Sequence, residues 1–131
     1  SGGGGGVDVG VEETLEPGGG ALYRGSRMRA MDADDVRARG DAFREETDRG
    51  VLVVAAEMGD SHALFVFVSD ALIHDGVRAG DLVRELARMT GAGGGGRPHM
   101  AQGGVGDPAR LDDALKAGPA QVGALVAKGA K

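Results

Sequence analysis

The 131-residue sequence contains no cysteine and no tryptophan, and aromatic residues make up only 3% of it. The absence of cysteine excludes disulfides, thiolate metal sites and cysteine nucleophiles, and it is typical of a cytosolic protein. The scarcity of aromatic side chains argues against a platform that stacks the bases of single-stranded nucleic acid. We therefore predict a cytoplasmic protein.

Long apolar runs and an excess of positive charge are also missing. The longest apolar run, Ala63 to Val68, is far shorter than the roughly 20 residues of a membrane span, and no secretory signal pattern is present. The net charge is −5, whereas phosphate binding depends on clustered lysine and arginine. The composition thus predicts no membrane partner and does not by itself favour nucleic acid.

Glycine is abundant, with 26 residues, and its distribution indicates a boundary near residue 20. Nine of the first twenty residues are glycine, a composition typical of a flexible linker. We assign residues 1–20 to a glycine-rich linker or tag and leave Ser1 to Gly6 out of fold reasoning. Residues 21–131 are predicted to form one small globular domain, a length sufficient for a real core.

The apolar pattern predicts a sheet with helices packed on it. Ala21 to Met31 is a candidate strand, bulged at Gly25. Val51–Met58 and His62–Ser69 are rich in β-branched and aromatic residues and are separated by a turn sequence, which predicts a hairpin. Since Ala63 to Val68 is apolar on both sides of the pleat, this strand is expected inside the sheet.

Capping residues and 3.6-residue spacing predict the helices. Asp32 is a candidate N-cap for a helix that ends near Thr47, and a second helix runs from Gly80 to about Thr90. A third begins at Asp107-Pro108. Gly118-Pro119 is expected to break it, leaving a final helix from Ala120 to Lys128. The predicted fold class is α/β (α+β), with a mixed β-sheet and an exposed glycine-rich loop.

Residues 93–102 hold four consecutive glycines followed by Arg-Pro-His-Met-Ala-Gln. The run starting at Gly91 formally fits G-x-G-x-x-G, but a dinucleotide site needs a preceding strand and a helix beginning inside the motif. Here a helix precedes it and Pro98 opposes a following one. A phosphate-binding P-loop would end in Gly-Lys-Ser/Thr, where this chain has Arg97.

Two interpretations of this segment remain open from the residues alone. The peptide N–H groups could cradle a phosphate, with Arg97 as a bidentate partner. Alternatively, the glycines only allow a turn to pack tightly against the sheet.

No set of residues predicts catalysis or a metal site. His62, His74 and His99 are scattered without metal-ligand spacing, and neither Ser61 nor Ser69 lies in a nucleophile elbow. The aspartates near helix starts are interpreted as caps and solvated charges. No nucleophile has a convincing base beside it.

The segment from Val83 to Leu115 resembles the C-terminal domain of alanyl-tRNA synthetases, the C-Ala or DHH-associated domain. The motifs that carry the resemblance are Ala79-Gly80-Asp81-Leu82-Val83, Gly93 to Pro98, Met100-Ala101-Gln102 with Gly104, Asp107-Pro108 and Leu111-Asp112-Asp113-Ala114-Leu115. The resemblance covers about residues 21–117, and the glycine-Arg-Pro-x-Met-Ala-Gln string is fairly specific.

This resemblance implies a tRNA-binding appendage of an alanine–tRNA ligase. In that family the domain contacts the outer corner of tRNA and helps join aminoacylation with editing. The expected partners are tRNA-Ala and the other domains of the parent synthetase, with a homodimer left open. The aminoacylation and zinc-bearing editing motifs are absent, so the chain alone is expected to be non-catalytic. No cofactor is expected here; ATP and zinc are expected only in the absent parent domains.

On this interpretation, Arg97 contacts a phosphate and Gln102 orients the loop or reaches a ribose. The other predicted nucleic-acid-binding residues are Gly93, Gly94, Gly95 and Gly96, through their N–H groups, and Arg84 and Arg88 as secondary phosphate contacts. The alternative for Arg84 and Arg88 is an ordinary solvated helix face. Two alternative functions are a dimerisation module and the substrate-binding domain of a DHH-family phosphoesterase.

Overall fold

The computed structural model describes residues 7–15 and 21–129. Six strands form one mixed sheet in the order β1-β2-β3-β4-β6-β5. The strands are β1 (Val7–Leu15), β2 (Ala21–Arg29), β3 (Gly50–Met58), β4 (Ser61–Val68), β5 (Gly94–Gly96) and β6 (Met100–Gly104). The β2–β3 pair is parallel and the other pairs are antiparallel, which confirms the predicted mixed sheet.

Helices cover both faces of the sheet. They are α1 (Ala33–Glu46), α2 (Asp70–His74), α3 (Ala79–Met89) and α4 (Leu111–Gly129), with a 3-10 turn at Pro108–Arg110 before α4. One core joins α3 and α4 to the face that carries Tyr23, Val53 and Val66. A second core joins α1 to the face that carries Leu52 and Phe65. Both faces of β4 are therefore buried, as predicted for an interior strand.

The first helix and the central hairpin confirm the sequence predictions. Asp32 caps α1, since its side chain accepts a hydrogen bond from the Asp35 N–H at 3.1 Å. The helix buries Val36, Gly40 and Phe43. Strands β3 and β4 pair antiparallel from Val51/Val68 to Met58/Ser61. Gly59 lies in the turn between them at φ +63°, a conformation that favours glycine.

The linker prediction is wrong for residues 7–15, which form strand β1 and pair antiparallel with β2. Backbone pairing to β2 supplies order that the glycine-rich composition did not indicate. The remaining residues of the predicted linker, 1–6 and 16–20, lie outside the described part of the chain. The bulge predicted at Gly25 is also displaced, because the register shift falls between Val9 and Val11 on the facing strand.

The predicted helix break at Gly118-Pro119 is wrong, and α4 continues through Pro119. Proline has no N–H for the carbonyl four residues earlier, which normally ends or kinks a helix. Here that carbonyl belongs to Leu115, and it accepts a hydrogen bond from the Tyr23 hydroxyl at 2.7 Å. A side chain from β2 thus replaces the missing donor.

None of the helices in the described ranges combines the length and apolar character that a bilayer crossing requires.

Candidate functional site

The glycine-rich segment is an edge strand, which corrects the prediction of an exposed loop. Strand β5 pairs antiparallel with β6, from Gly94/Gly103 to Gly96/Ala101. The Arg97 N–H donates to the Met100 carbonyl at 3.0 Å and closes the hairpin turn, while the Gly104 N–H donates to the Gly93 carbonyl at the other end. Glycine has low strand propensity, so the pattern alone did not indicate this pairing.

Only part of the glycine backbone is used by the hairpin. Antiparallel pairs alternate between bonded and non-bonded positions. Since Arg97 bonds Met100 and Gly104 bonds Gly93, the alternation assigns Gly95 to the bonded pair with Gln102. The peptide groups of Gly94 and Gly96 are then directed away from β6, and those of Gly96 lie against Gly80 at the start of α3. The Gly94 N–H is thus an outward backbone donor on an edge without side chains.

The glycines of this segment fall into two groups by their surroundings. A Cβ on Gly94 would lie 2.6 Å from the Gly103 Cα, and one on Gly96 would lie 2.7 Å from the Ala101 Cα. Gly96 also has φ +156°. A Cβ on Gly93 or Gly95 would meet nothing within 4 Å, and neither has a positive φ. The fold therefore explains glycine at positions 94 and 96 and leaves it unexplained at positions 93 and 95.

The start of α3 fixes the hairpin in place. The Ala79 N–H donates to the Pro98 carbonyl at 2.8 Å. A Cβ on Gly80 would lie 2.9 Å from the Gly96 carbonyl oxygen, so only glycine permits this approach. The start of α3 and the hairpin turn are thus in direct backbone contact beside Arg97.

Arg97 is exposed, and it forms no ion pair with any residue in the described ranges. Arg84 and Arg88 differ in this respect. The Arg84 guanidinium lies 3.8 Å from Asp81, and that of Arg88 lies 2.8 Å from Glu85. Both are helical i, i+3 pairs on the surface of α3, the arrangement expected of a solvated face.

The structure brings together only some of the predicted residues. Gln102 is exposed and pairs with Phe65 of β4, on the face of the sheet that carries α1. A Cβ on the next residue, Gly103, would lie 3.1 Å from Ala87 of α3, on the opposite face. Arg84 and Arg88 of α3 are therefore separated from Gln102 by the sheet. The hairpin unites Gly93 to Gly96, Arg97 and Gln102.

Sequence reasoning missed Arg78, the residue immediately before α3. It is exposed and makes no side-chain capping bond to its helix. The Ala79–Pro98 hydrogen bond places it beside the hairpin turn that follows Arg97. No local pattern marks this position, because the contact depends on tertiary structure.

The described residues contain no group of histidine and acidic side chains that could hold a metal ion. An open groove lies elsewhere, lined by Asp41, Arg44, Glu45, Thr47, Asp48, Ser69 and Asp70. Its lining is mostly acidic and includes none of the predicted binding residues.

Residues 24–123 match the model of the DHHA1 domain. The chain belongs to the DHHA1 family. This DHHA1 domain is 40% identical to the alanine–tRNA ligase of Shouchella clausii over 97 residues, which is 74% of the chain and 11% of that protein. It is also 40% identical to the alanine–tRNA ligase of Dehalococcoides mccartyi over 92 residues, or 70% of the chain. The chain thus spans about 11% of the length of these curated relatives.

A solved structure similar to this DHHA1 domain is the C-Ala domain from Aquifex aeolicus alanyl-tRNA synthetase. The two share 28% identity at a TM-score of 0.71, over 88% of this chain and 98% of that one. The predicted resemblance and fold class are confirmed. A DHH-domain structure described as a member of the S1P family of ribosomal proteins has a TM-score of 0.58 at 17% identity, which shows the fold alone.

Proposed function

We propose that this chain is the tRNA-binding domain of an alanine–tRNA ligase and that it binds the sugar–phosphate backbone of tRNA-Ala with the β5–β6 hairpin. The observation that carries the proposal is a strand edge without side chains beside an arginine that has no carboxylate partner among the described residues. Gly93 and Gly95 are not required by the fold, so their lack of a Cβ is best explained by a partner that lies against them.

Each part of the hairpin has a chemical role in this proposal. Arg97 offers a planar fork of donors that matches a phosphate. The outward N–H group of Gly94 adds a backbone donor at the same edge. Gln102 can donate to and accept from a ribose on the face that Gly95 leaves open. Arg84 and Arg88 are not required, since each already has a carboxylate neighbour.

The similarity to alanine–tRNA ligases supports a wider role. We propose that the domain contacts the tRNA body and helps couple aminoacylation with editing without catalysis of its own. Its other partners are the remaining domains of a cytoplasmic parent ligase, which would bind ATP and zinc. The described residues of this domain provide no metal site, and no step here depends on one.

The test is a titration of tRNA-Ala transcript with the purified chain, followed by fluorescence anisotropy between 50 and 200 mM KCl. Wild-type chain is expected to bind saturably, with an affinity that falls as salt rises. Arg97→Ala should weaken binding and reduce the salt slope by about one.

Arg39→Ala is the matched control. Arg39 is exposed on α1, with no ion pair among the described residues, so its removal changes the net charge equally. It should leave affinity and slope nearly unchanged. Equal effects of the two variants would show that tRNA responds only to net charge, and the proposed interface would be wrong.

A further inference from the structure

Arg78 and Arg97 differ from most other arginines of the described residues. Most guanidiniums lie within 4 Å of a carboxylate: Arg27, Arg29, Arg37, Arg44, Arg49, Arg84, Arg88 and Arg110. Arg39, Arg78 and Arg97 have no such partner within the described ranges, and of these three Arg78 and Arg97 flank the backbone contact at the β5–β6 turn. The chain has 20 acidic residues against 15 basic ones, so acidic partners are not scarce.

The carboxylates nearest to Arg78 in the sequence pair with other arginines. Asp81, in the first turn of α3, lies 3.8 Å from Arg84 rather than pairing with Arg78. Asp75, three residues before Arg78, pairs with Arg49 at 2.6 Å. Asp70 of α2 pairs with Arg44. These carboxylates are therefore paired with other arginines and do not neutralise Arg78 or Arg97.

The backbone holds the two arginines on adjacent segments. The Ala79 N–H donates to the Pro98 carbonyl at 2.8 Å, which joins the residue after Arg78 to the residue after Arg97. The Gly80 backbone packs against Gly96 so closely that a Cβ would lie 2.9 Å from its carbonyl oxygen. Two exposed positive charges on neighbouring segments favour an anion that lies near both.

We propose that Arg78 is a second phosphate-binding residue, and that Arg78 and Arg97 contact neighbouring phosphates of one RNA backbone at the β5–β6 turn. This inference rests on the proposed function and extends its interface from the hairpin to the start of α3. Arg78 adds affinity that does not depend on base sequence, because phosphate contacts position the nucleic acid without reading it.

The experiment compares four chains in the tRNA-Ala titration: wild type, Arg78→Ala, Arg97→Ala and the double variant. Arg78→Ala is expected to weaken binding roughly three- to tenfold at 100 mM KCl and to lower the salt slope by about one. The double variant should lower the slope by about two, because each arginine releases its own counterion. Arg78→Lys should retain most of the slope, since the charge remains.

Arg39→Ala again controls for net charge, and circular dichroism melting shows whether each variant is folded. If Arg78→Ala behaves like Arg39→Ala while Arg97→Ala loses affinity, the role of Arg78 is wrong and the hairpin interface stands. If wild type shows no saturable binding, or Arg97→Ala has no effect, both proposals are wrong. A double variant no weaker than Arg97→Ala alone would also overturn the second contact.

Discussion

The Tyr23 hydroxyl donates a hydrogen bond of 2.7 Å to the main-chain carbonyl of Leu115, 92 residues later in the chain. Tyr23 is fully buried. In an uninterrupted helix the Leu115 carbonyl would accept from residue 119, which is proline here. The ring reaches α4 because Gly118 has no side chain, since a Cβ there would lie 2.0 Å from the hydroxyl oxygen. One tyrosine thus allows proline inside the helix.

Tyr23→Phe should destabilise the chain by about 1–2 kcal/mol, because it leaves the Leu115 carbonyl buried without a donor. The measurement is the free energy of unfolding in urea. The test is sharper in a second background, Pro119→Ala, where the alanine N–H can donate to Leu115. There Tyr23→Phe should cost less than half as much. Equal costs in both backgrounds would show that the hydroxyl does not substitute for the N–H that proline lacks.

Gly118→Ala should be more damaging than Tyr23→Phe. The added methyl would overlap the Tyr23 ring, which is enclosed by the core and cannot move away. Overpacking of this kind costs about 1–3 kcal/mol or more. Gly123→Ala, at a half-buried position of the same helix, is the comparison and should be neutral or stabilising by helix propensity. If Gly118→Ala and Gly123→Ala had similar melting temperatures, the proposed packing of Gly118 against Tyr23 would be wrong.

The parts of the structure that are predictable from the sequence are those that local chemistry determines. Asp32 followed by acidic residues marks the start of α1, and the turn at Gly59-Asp60 marks the central hairpin. The parts that were predicted wrongly are stabilised by contacts with residues far away in the sequence. Strand β1 is ordered by pairing with β2, and α4 passes Pro119 because Tyr23 supplies a donor.

The same distinction applies to the candidate site. The string from Gly93 to Gln102 identified the hairpin residues that the structure unites, because glycine and arginine in that order are locally distinctive. Three consecutive glycines have no side chains to alternate, so strand β5 left no periodic signal. Arg78 joins the site only through the Ala79–Pro98 hydrogen bond, and that contact is invisible in the sequence.

The glycine run has two explanations, a binding surface for RNA and tight packing of the hairpin. Gly95→Ala and Gly94→Ala distinguish them. A Cβ at Gly95 meets no atom of the protein, so Gly95→Ala should keep the chain folded and stabilise it by roughly 0.5 kcal/mol. It should nevertheless weaken tRNA binding, because the methyl group projects into the proposed interface. Gly94→Ala should cost about 1–3 kcal/mol of stability through contact with Gly103. Full tRNA affinity in Gly95→Ala would mean that the bare strand has no ligand.

Ser69→Ala should destabilise the chain by about 1–2 kcal/mol without affecting tRNA affinity. The buried Ser69 hydroxyl accepts the Gly50 N–H at 2.9 Å, and the Ser69 N–H donates to the Gly50 carbonyl at 3.0 Å. Loss of the hydroxyl leaves the Gly50 N–H unsatisfied where water does not reach. Ser61→Ala, at an exposed strand end, is the control and should stay within about 0.5 kcal/mol of wild type. If Ser69→Ala left the free energy of unfolding unchanged, the hydrogen bond from the Gly50 N–H to the Ser69 hydroxyl would be contradicted.

Arg84→Ala and Arg88→Ala should change tRNA binding much less than Arg97→Ala. Their guanidiniums are partly neutralised by Asp81 and Glu85, and α3 lies on the face of the sheet opposite Gln102. Because a neutralised charge releases few counterions, the salt slope should fall by clearly less than one for each variant. Glu85→Gln frees Arg88 from its partner and provides the reverse comparison. If Arg88→Ala lowered the salt slope of tRNA binding by a full unit, the interface would extend across α3. That result would contradict an interface formed only by the hairpin and Arg78.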